Sequence, residues 1–196
     1  MDRRSTKTKR LLEDALIKLM IEKGFDKISI KDLTEEADIN RGTFYIHYKD
    51  KYDLLEQKED EVLNEFNEIV GNIAKKYANN FILPTNKENL VSIFTCIYGY
   101  IKENADFMKV ILGPNGDLNF QMKFKNFIES WIIKNISIQY EIEKLPIKYV
   151  SAIASAAQLG IIDKWLKSGM KETPEELAAI MSEVVGSIYS GLVKDI

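Results

Sequence analysis

The chain has 196 residues, of which 45% are hydrophobic and 29% charged, with a formal net charge of −3. This composition is typical of a soluble globular protein and excludes a polycation, so the distribution of charge matters more than its sum. A single cysteine, Cys96, excludes an internal disulfide and, with the single histidine, most metal sites. We expect no cofactor. No apolar run reaches the roughly 18 residues of a membrane span, and a secretory signal is missing, so we expect a cytoplasmic protein.

The first predicted element is a basic segment followed by a helix. Residues 1–10 carry a single acidic residue and five basic ones, which are Arg3, Arg4, Lys7, Lys9 and Arg10. Two interpretations stay open, a solvated disordered tail or an arm that meets DNA phosphates or a minor groove. Helix 1 is predicted from about Ser5 to Lys23, and Gly24 is its C-terminal stop.

Residues 29–48 predict two short helices that meet at a tight turn. Ser29 and Asp32 form a capping-box-like start for the first helix, and Asn40 is a good N-cap for the second. Phe44 and Tyr48, four residues apart, give the second helix an inward face. A pair of capped helices joined by about three residues is a helix-turn-helix, whose second helix can enter a major groove. This pattern indicates DNA binding.

The rest of the chain predicts further helices. Asp50 and Asp53 resemble the capping box of a fourth helix, which is predicted to run to about residue 77. Tyr52 is assigned to the apolar stripe of this helix. The later helices are predicted at about 87–104, 117–139, 146–168 and 174–193, and the turn-forming GPNGD segment (113–117) makes the strongest break. The expected fold is all-α, with about eight or nine helices. Residues 1–50 would form a three-helix DNA-binding domain, and residues 51–196 a helical bundle for dimerisation and ligand sensing.

Residues 9–55 resemble the TetR family of bacterial transcriptional repressors. The resemblance is carried by IEKGFDKISIKDLTEEADINRGTFYIHYKDKYDLL (21–55), above all by RGTFY followed by a basic-Asp-Lys start to the next helix. Beyond about residue 60 the match is in helical character, with a weaker match at LGPNGD. Asp38 stands where the turn usually carries glycine, and Asp tolerates a left-handed conformation better than most residues.

The resemblance implies a DNA surface built from several pieces. It combines the start of helix 2, the outer face of helix 3 and the start of helix 4. The positions that match the family's contacts are Lys31, Arg41, Gly42, Thr43, Tyr45, Ile46, His47 and Lys51. Each of these also has a plain alternative as an ordinary surface residue.

The chemistry of these side chains divides them into two roles. Tyr45 and Lys51 are suited to phosphates, which set the register on the duplex. The residues better placed to read base edges are Arg41, Thr43, Ile46 and His47. An arginine can form two hydrogen bonds with a guanine edge, and an apolar side chain can contact a thymine methyl group. Gly42 lets the backbone approach the duplex closely.

The predicted last two helices indicate a homodimer. SAIASAAQLG (151–160) places small residues where two helices can pack closely, and 177–193 can complete a four-helix bundle with a second copy. Packing within one chain is the alternative. Such a dimer would read a palindromic operator in double-stranded DNA, with half-sites roughly 34–36 Å apart.

For the body we predict a repressor that a small apolar effector releases. Candidate effector residues are Phe66, Phe94, Tyr98, Phe107, Met108, Phe124, Phe127 and Trp131, although such a stripe is often plain core. The alternative is a co-regulator or activator whose body binds a protein partner. An enzyme is disfavoured, because the single histidine lies on the DNA helix and GPNGD lacks the Lys-Ser/Thr of a phosphate loop.

Overall fold

The computed structural model describes residues 3–76, 87–113, 116–136 and 146–192. These residues form nine α-helices, one short 3₁₀ helix and no strand, in agreement with the predicted all-α class. The helices are α1 (Arg3–Lys23), α2 (Ile30–Glu36), α3 (Arg41–His47), α4 (Lys51–Lys76), α5 (Lys87–Glu103), α6 (Ala105–Ile111), α7 (Leu118–Ile136), α8 (Ile147–Lys167) and α9 (Pro174–Leu192). The 3₁₀ turn, Phe25–Lys27, lies between α1 and α2.

The basic N-terminal segment is helical. Residues 3–10 form the first turns of α1, which begins two residues before the predicted start at about Ser5, so these eight residues are not a disordered tail. Lys9 packs back onto the domain, with its ammonium 5.6 Å from the centre of the Tyr48 ring. Gly24 follows α1 with a φ of 76°, a left-handed conformation that glycine adopts without strain, and the predicted helix stop is confirmed.

The predicted caps of the helix-turn-helix are present. Asp32 N donates to Ser29 Oγ at 3.2 Å, and Ser29 N donates to Asp32 Oδ2 at 2.8 Å, which completes the capping box of α2. Asp38 has a φ of 50°, the left-handed conformation expected at this turn. Asn40 Oδ1 accepts from Gly42 N at 2.7 Å and caps α3. Local sequence therefore determines both helix starts.

The start of α4 corrects one prediction. Asp50 Oδ1 accepts from Asp53 N at 2.9 Å, as expected of the N-cap. Tyr52, assigned to the apolar stripe of this helix, is 61% exposed. The first buried apolar residues of α4 are Leu54 and Leu55, so the core contacts this helix only after its first turn.

The chain between α5 and the GPNGD segment contains a helix that the sequence did not predict. α5 ends at Glu103, and α6 follows after Asn104, whose φ of −107° and ψ of 26° interrupt the helix. α6 buries Phe107, Met108 and Ile111. The predicted ends of the helices at 139 and 193 lie outside the described residues.

One apolar core connects the two halves of the chain. α9 lies along α5 and α7 along α8, while α1 contacts α2, α4 and α6. The main cluster runs from Leu12 and Phe44 near the N-terminus to Phe124 and Trp165 in the body. A smaller cluster joins α4 and α5 at Ile73, Leu90 and Ile93. Among the described helices, each is too short or too polar to cross a bilayer.

Candidate nucleic-acid interface

Helix α3 has one buried face and one exposed face. Phe44 is fully buried and Tyr48 nearly so, and both rings pack in the main core. On the opposite side, Tyr45 is 51% exposed and Ile46 is 78% exposed. Large hydrophobic side chains of this kind are more often buried. The Tyr45 ring packs edge-on against buried Phe44, with ring centres 5.6 Å apart, but neither side chain belongs to the core cluster. Their exposed surfaces are available to a ligand outside the protein.

The N-terminus of α3 is open to solvent. Arg41 and Gly42 are exposed, and Thr43 and His47 are half-buried beside them. A Cβ added at Gly42 would meet Asn40 Oδ1 at 3.3 Å, a tight contact with the capping atom itself. Glycine at this position therefore keeps the cap undisturbed and the helix end narrow. Backbone N–H groups and an arginine at a helix N-terminus suit a phosphate or a guanine edge.

Lys31, in the first turn of α2, is also exposed. Its Nζ lies 3.7 Å from Glu35 Oε1, a long surface pair with both side chains mostly in solvent. Such pairs contribute little to stability, so Lys31 can exchange Glu35 for a phosphate at low cost.

Lys51 is placed differently from the other predicted DNA contacts. The side chain is half-buried, and its Nζ donates to Phe25 O and to Asp26 O, each at 3.0 Å. Two of its three N–H groups are thus used within the domain. Next to it, Tyr52 stands edge-on to Phe25, with ring centres 5.3 Å apart. The exposure of Tyr52 beside the predicted surface was missed, because helical spacing alone grouped it with the buried stripe.

A partly buried polar network links α1 and α4 next to Tyr48. Lys58 Nζ lies 3.2 Å from Glu13 Oε2 and 2.8 Å from Glu61 Oε1, which ties α4 to α1. Burial and the neighbouring carboxylates, Glu13 first among them, raise the pKa of Tyr48 well above its ordinary value. At the other end of the motif, hydrogen bonds from Ser29 hold the pKa of Asp32 far below its usual range, so this carboxylate of the capping box is ionised at physiological pH.

The eight candidate effector residues fall into two groups. Phe66, Tyr98, Phe107, Met108 and Phe124 are buried in the main core. Phe94, Phe127 and Trp131 are half-buried against the two clusters. Inside the core, Gln158 Nε2 donates to the Tyr98 hydroxyl at 2.8 Å. A cleft of about 970 Å³ is lined mainly by charged side chains of α1, α4 and the α5–α6 junction, and Phe107 is the one candidate effector residue that lines it.

The outer faces of α8 and α9 carry large apolar side chains. Tyr149 and Ile153 on α8, and Ile180 and Val184 on α9, are all exposed. Gly160, on α8, is exposed as well, and a Cβ there would meet nothing within 4 Å of its own chain.

No group of three or more His, Cys, Asp or Glu within the described ranges is arranged to hold a metal ion.

Two family models match the chain. The model described as "Bacterial regulatory proteins, tetR family" matches residues 12–57, which include all of α2 and α3. The model described as "Transcriptional regulator C-terminal region" matches residues 88–187, just over half of the chain. A curated relative, the "Uncharacterized HTH-type transcriptional regulator YxbF" of Bacillus subtilis (strain 168), is 25% identical over 177 residues. That alignment covers 89% of this chain, which spans only 43% of the relative's length.

Solved structures share the fold over nearly the whole chain. A TetR-family transcriptional regulator from Syntrophomonas wolfei superposes with a TM-score of 0.75 at 18% identity and covers 96% of this chain and 97% of its own. FadR from Bacillus subtilis, solved in complex with stearoyl-CoA, has a TM-score of 0.66 at 15% identity, covering 91% and 97%. The dihydroxyacetone kinase operon activator DhaS has a TM-score of 0.61 at 20% identity, covering 92% and 95%. With the two family models, this places the chain in the TetR family of bacterial transcriptional regulators.

Proposed function

We propose that the chain binds operator DNA through the outer face of α3 and regulates transcription there. The observation that carries this proposal is the two-faced packing of α3, which buries Phe44 and leaves Tyr45 and Ile46 in solvent. Side chains of this kind on an N-capped helix can reach base edges and phosphates in a major groove. The proposed contact residues are Lys31, Arg41, Gly42, Thr43, Tyr45, Ile46 and His47, and Lys51 lies at the same surface.

The protein would act as a homodimer joined through α8 and α9. The exposed apolar residues of these two helices support this proposal, since large apolar side chains grouped on the surface of a globular protein mark an interaction surface. A two-fold dimer has identical DNA-binding units on both sides and therefore favours a palindromic site. A cytoplasmic location is proposed with it, because that compartment holds the DNA.

A selection of bound sequences from a random double-stranded DNA library tests this proposal. We expect enrichment of an inverted repeat whose half-sites lie about one helical turn, roughly 34–36 Å, apart. Enrichment of one unrepeated half-site would argue against the dimer. No enrichment over input would argue against sequence-specific binding.

For control of DNA binding we propose a small apolar effector that enters the body and releases a repressor. The half-buried aromatic residues Phe94 and Trp131, beside the small cluster of α4 and α5, are the proposed entry to the buried set. The similarly folded FadR of Bacillus subtilis was solved with stearoyl-CoA, which supports an acyl-chain ligand class here. An effector acts by binding better to one arrangement of the two domains than to the other.

A protein partner is the second candidate for control. Leu118 and Met122, one turn apart on α7, are 73% and 63% exposed, and DhaS, an activator by its printed name, has the same fold. Titration with acyl chains separates the two, because Trp131 is half-buried at the proposed entry. A saturable change in tryptophan fluorescence would support the effector. Two results together would support the partner. The tryptophan fluorescence would not change with acyl chains of any length, and a protein that co-purifies in stoichiometric amount would be lost in a Met122→Lys variant.

A further inference from the structure

Ile46, on the outer face of α3, is the most exposed large hydrophobic side chain among the described residues, with 78% of it in solvent. On each of α7, α8 and α9, two large apolar residues four positions apart are exposed and make a broader apolar face. These pairs are Leu118 and Met122, Tyr149 and Ile153, and Ile180 and Val184. Ile46 has no such partner, because the residue four positions earlier is Gly42. Its apolar surface therefore fits a small apolar group better than it fits the face of another protein.

Helix geometry directs the Ile46 side chain over the first turn of α3. Side chains of a helix lean toward its N-terminus, so the side chain at position 46 covers the surface above residues 42 and 43. Gly42 adds no side chain there, and a Cβ at this residue would lie 3.3 Å from the capping atom, Asn40 Oδ1. Thr43, which is half-buried, supplies the neighbouring side chain. Because isoleucine is branched at Cβ and stiff at χ1, it loses little freedom when it is bound.

The base edges in a major groove offer such a side chain one apolar group. Thymine presents its C5-methyl group there, whereas adenine, guanine and cytosine present hydrogen-bond donors and acceptors. Ile46 has neither a donor nor an acceptor. Packed against an amino or carbonyl group of a base, it would remove water without replacing the lost hydrogen bond.

We propose that Ile46 is a specificity-determining residue that packs against a C5-methyl group and so selects one thymine in each half-site of the operator. This inference rests on the proposed DNA-binding function and names the chemical group that α3 recognises. 5-Methylcytosine carries its methyl group at the same position of the pyrimidine ring. It is therefore the second base that Ile46 should accept, in preference to unmodified cytosine.

Deoxyuridine tests this inference, because it differs from thymidine in the base only by the missing methyl group. In the selected operator, each thymine position is exchanged for deoxyuridine symmetrically in both half-sites, and fluorescence anisotropy measures the affinity. Burying one methyl group changes a binding constant about fourfold. For the wild type we therefore expect a position at which the exchange weakens binding by about 10- to 25-fold over the two half-sites. At that position, 5-methylcytosine should bind tighter than cytosine by a similar factor.

An Ile46→Ser variant assigns the methyl effect to this side chain. The residue is exposed, and serine and isoleucine have similar helix propensities, so the variant should keep the wild-type melting temperature. We expect it to bind the thymine and deoxyuridine operators within about twofold of each other, because its apolar end is gone. Thr43→Ser, which removes the methyl group of the neighbouring side chain, is the matched control and should keep the wild-type ratio.

The same titrations contain the results that would overturn the proposal. Wild-type affinity that is unchanged by deoxyuridine at every thymine position would show that no methyl group is recognised. A methyl effect that survives in Ile46→Ser would assign the contact to another side chain, which is Thr43 if Thr43→Ser abolishes the effect. Both results would leave the proposed function standing. Failure to select any operator would refute the proposed function and this inference with it.

Discussion

At the scale of single residues, Tyr45 is a direct test of the DNA surface. Its ring is 51% exposed and packs edge-on against Phe44, so removing it should lower stability by only about 1 kcal/mol and leave the fold intact. We expect Tyr45→Ala to weaken binding to operator and scrambled DNA alike by about 10- to 100-fold, the loss for a hydrogen bond to a charged group. Fluorescence anisotropy measures both affinities. Tyr45→Phe is the matched control, and it should reproduce most of the loss because it removes only the hydroxyl.

Glu59 is a residue through which we expect stability to depend on pH. It is almost fully buried on α4, its Oε2 lies 3.3 Å from Lys123 Nζ, and its Oε1 has no hydrogen-bond partner among the described residues. Burial, followed by the charge of Asp117, raises the pKa of Glu59 to about 7. The folded protein therefore binds this proton more tightly than the unfolded chain does. Stability from this group is complete below about pH 4.5 and is lost as the pH rises through 7.

Substitution of this carboxyl group checks the sign. We expect Glu59→Gln to remove a decline in unfolding free energy of the order of 1–3 kcal/mol between pH 5 and 8. Urea unfolding at several pH values measures that decline. Glu56→Gln, an exposed change on the same helix, is the control and should keep it. A decline of equal size in both variants would contradict the assignment to Glu59.

At the scale of elements, the glycines around the α6–α7 connection are required by close backbone contacts. A Cβ at Gly116 would lie 2.0 Å from Ile111 O, whereas one at Gly71 in α4 would meet nothing within 4 Å. We expect Gly116→Ala to lower the unfolding free energy by about 1–3 kcal/mol. Gly71→Ala, in a helix interior, should raise it by roughly 0.5–1 kcal/mol. Thermal denaturation of the two variants measures this difference, and a stable Gly116→Ala would show that the connection has room to shift.

The elements also show what the sequence could predict. The caps of α2, α3 and α4 were predictable because each joins residues three apart or fewer, as in the 2.9 Å bond from Asp53 N to Asp50 Oδ1. The separate helix α6 was missed because its boundary is a single asparagine between two apolar helical patterns. The partners of Lys51 lie 25 and 26 residues away, so spacing along the chain carried no information about them.

The predicted site shows the same division between local and distant signals. The exposed face of α3 followed from Phe44 and Tyr48, whose spacing predicts the inward face. The effector residues were predicted by residue type alone. Burial now separates the packed Phe66 and Tyr98 from the half-buried Phe94 and Trp131, which no periodicity could have done.

At the scale of the whole molecule, the proposed dimer would be held together by the apolar faces of α8 and α9. Ile153 is 67% and Ile180 is 52% exposed, so a charge at either position is solvated in the monomer. We expect Ile153→Glu with Ile180→Glu to convert a dimer of 22.5 kDa chains into a monomer and to lower operator affinity at least about 100-fold, since one half-site is lost. Light scattering after size exclusion measures the mass. Glutamates at the exposed Leu118 and Met122 are the control, and a dimer that survives at 153 and 180 would place the interface elsewhere.

The central claim is that the outer face of α3 reads a specific DNA sequence. The most direct measurement is an anisotropy titration of the wild-type protein and an Arg41→Ala, Tyr45→Ala variant against the selected operator and a scrambled duplex. We predict tight and selective binding by the wild type, and for the variant a loss of at least about 100-fold on the operator, with most selectivity gone. A folded variant that binds the operator as tightly and as selectively as the wild type would contradict the claim.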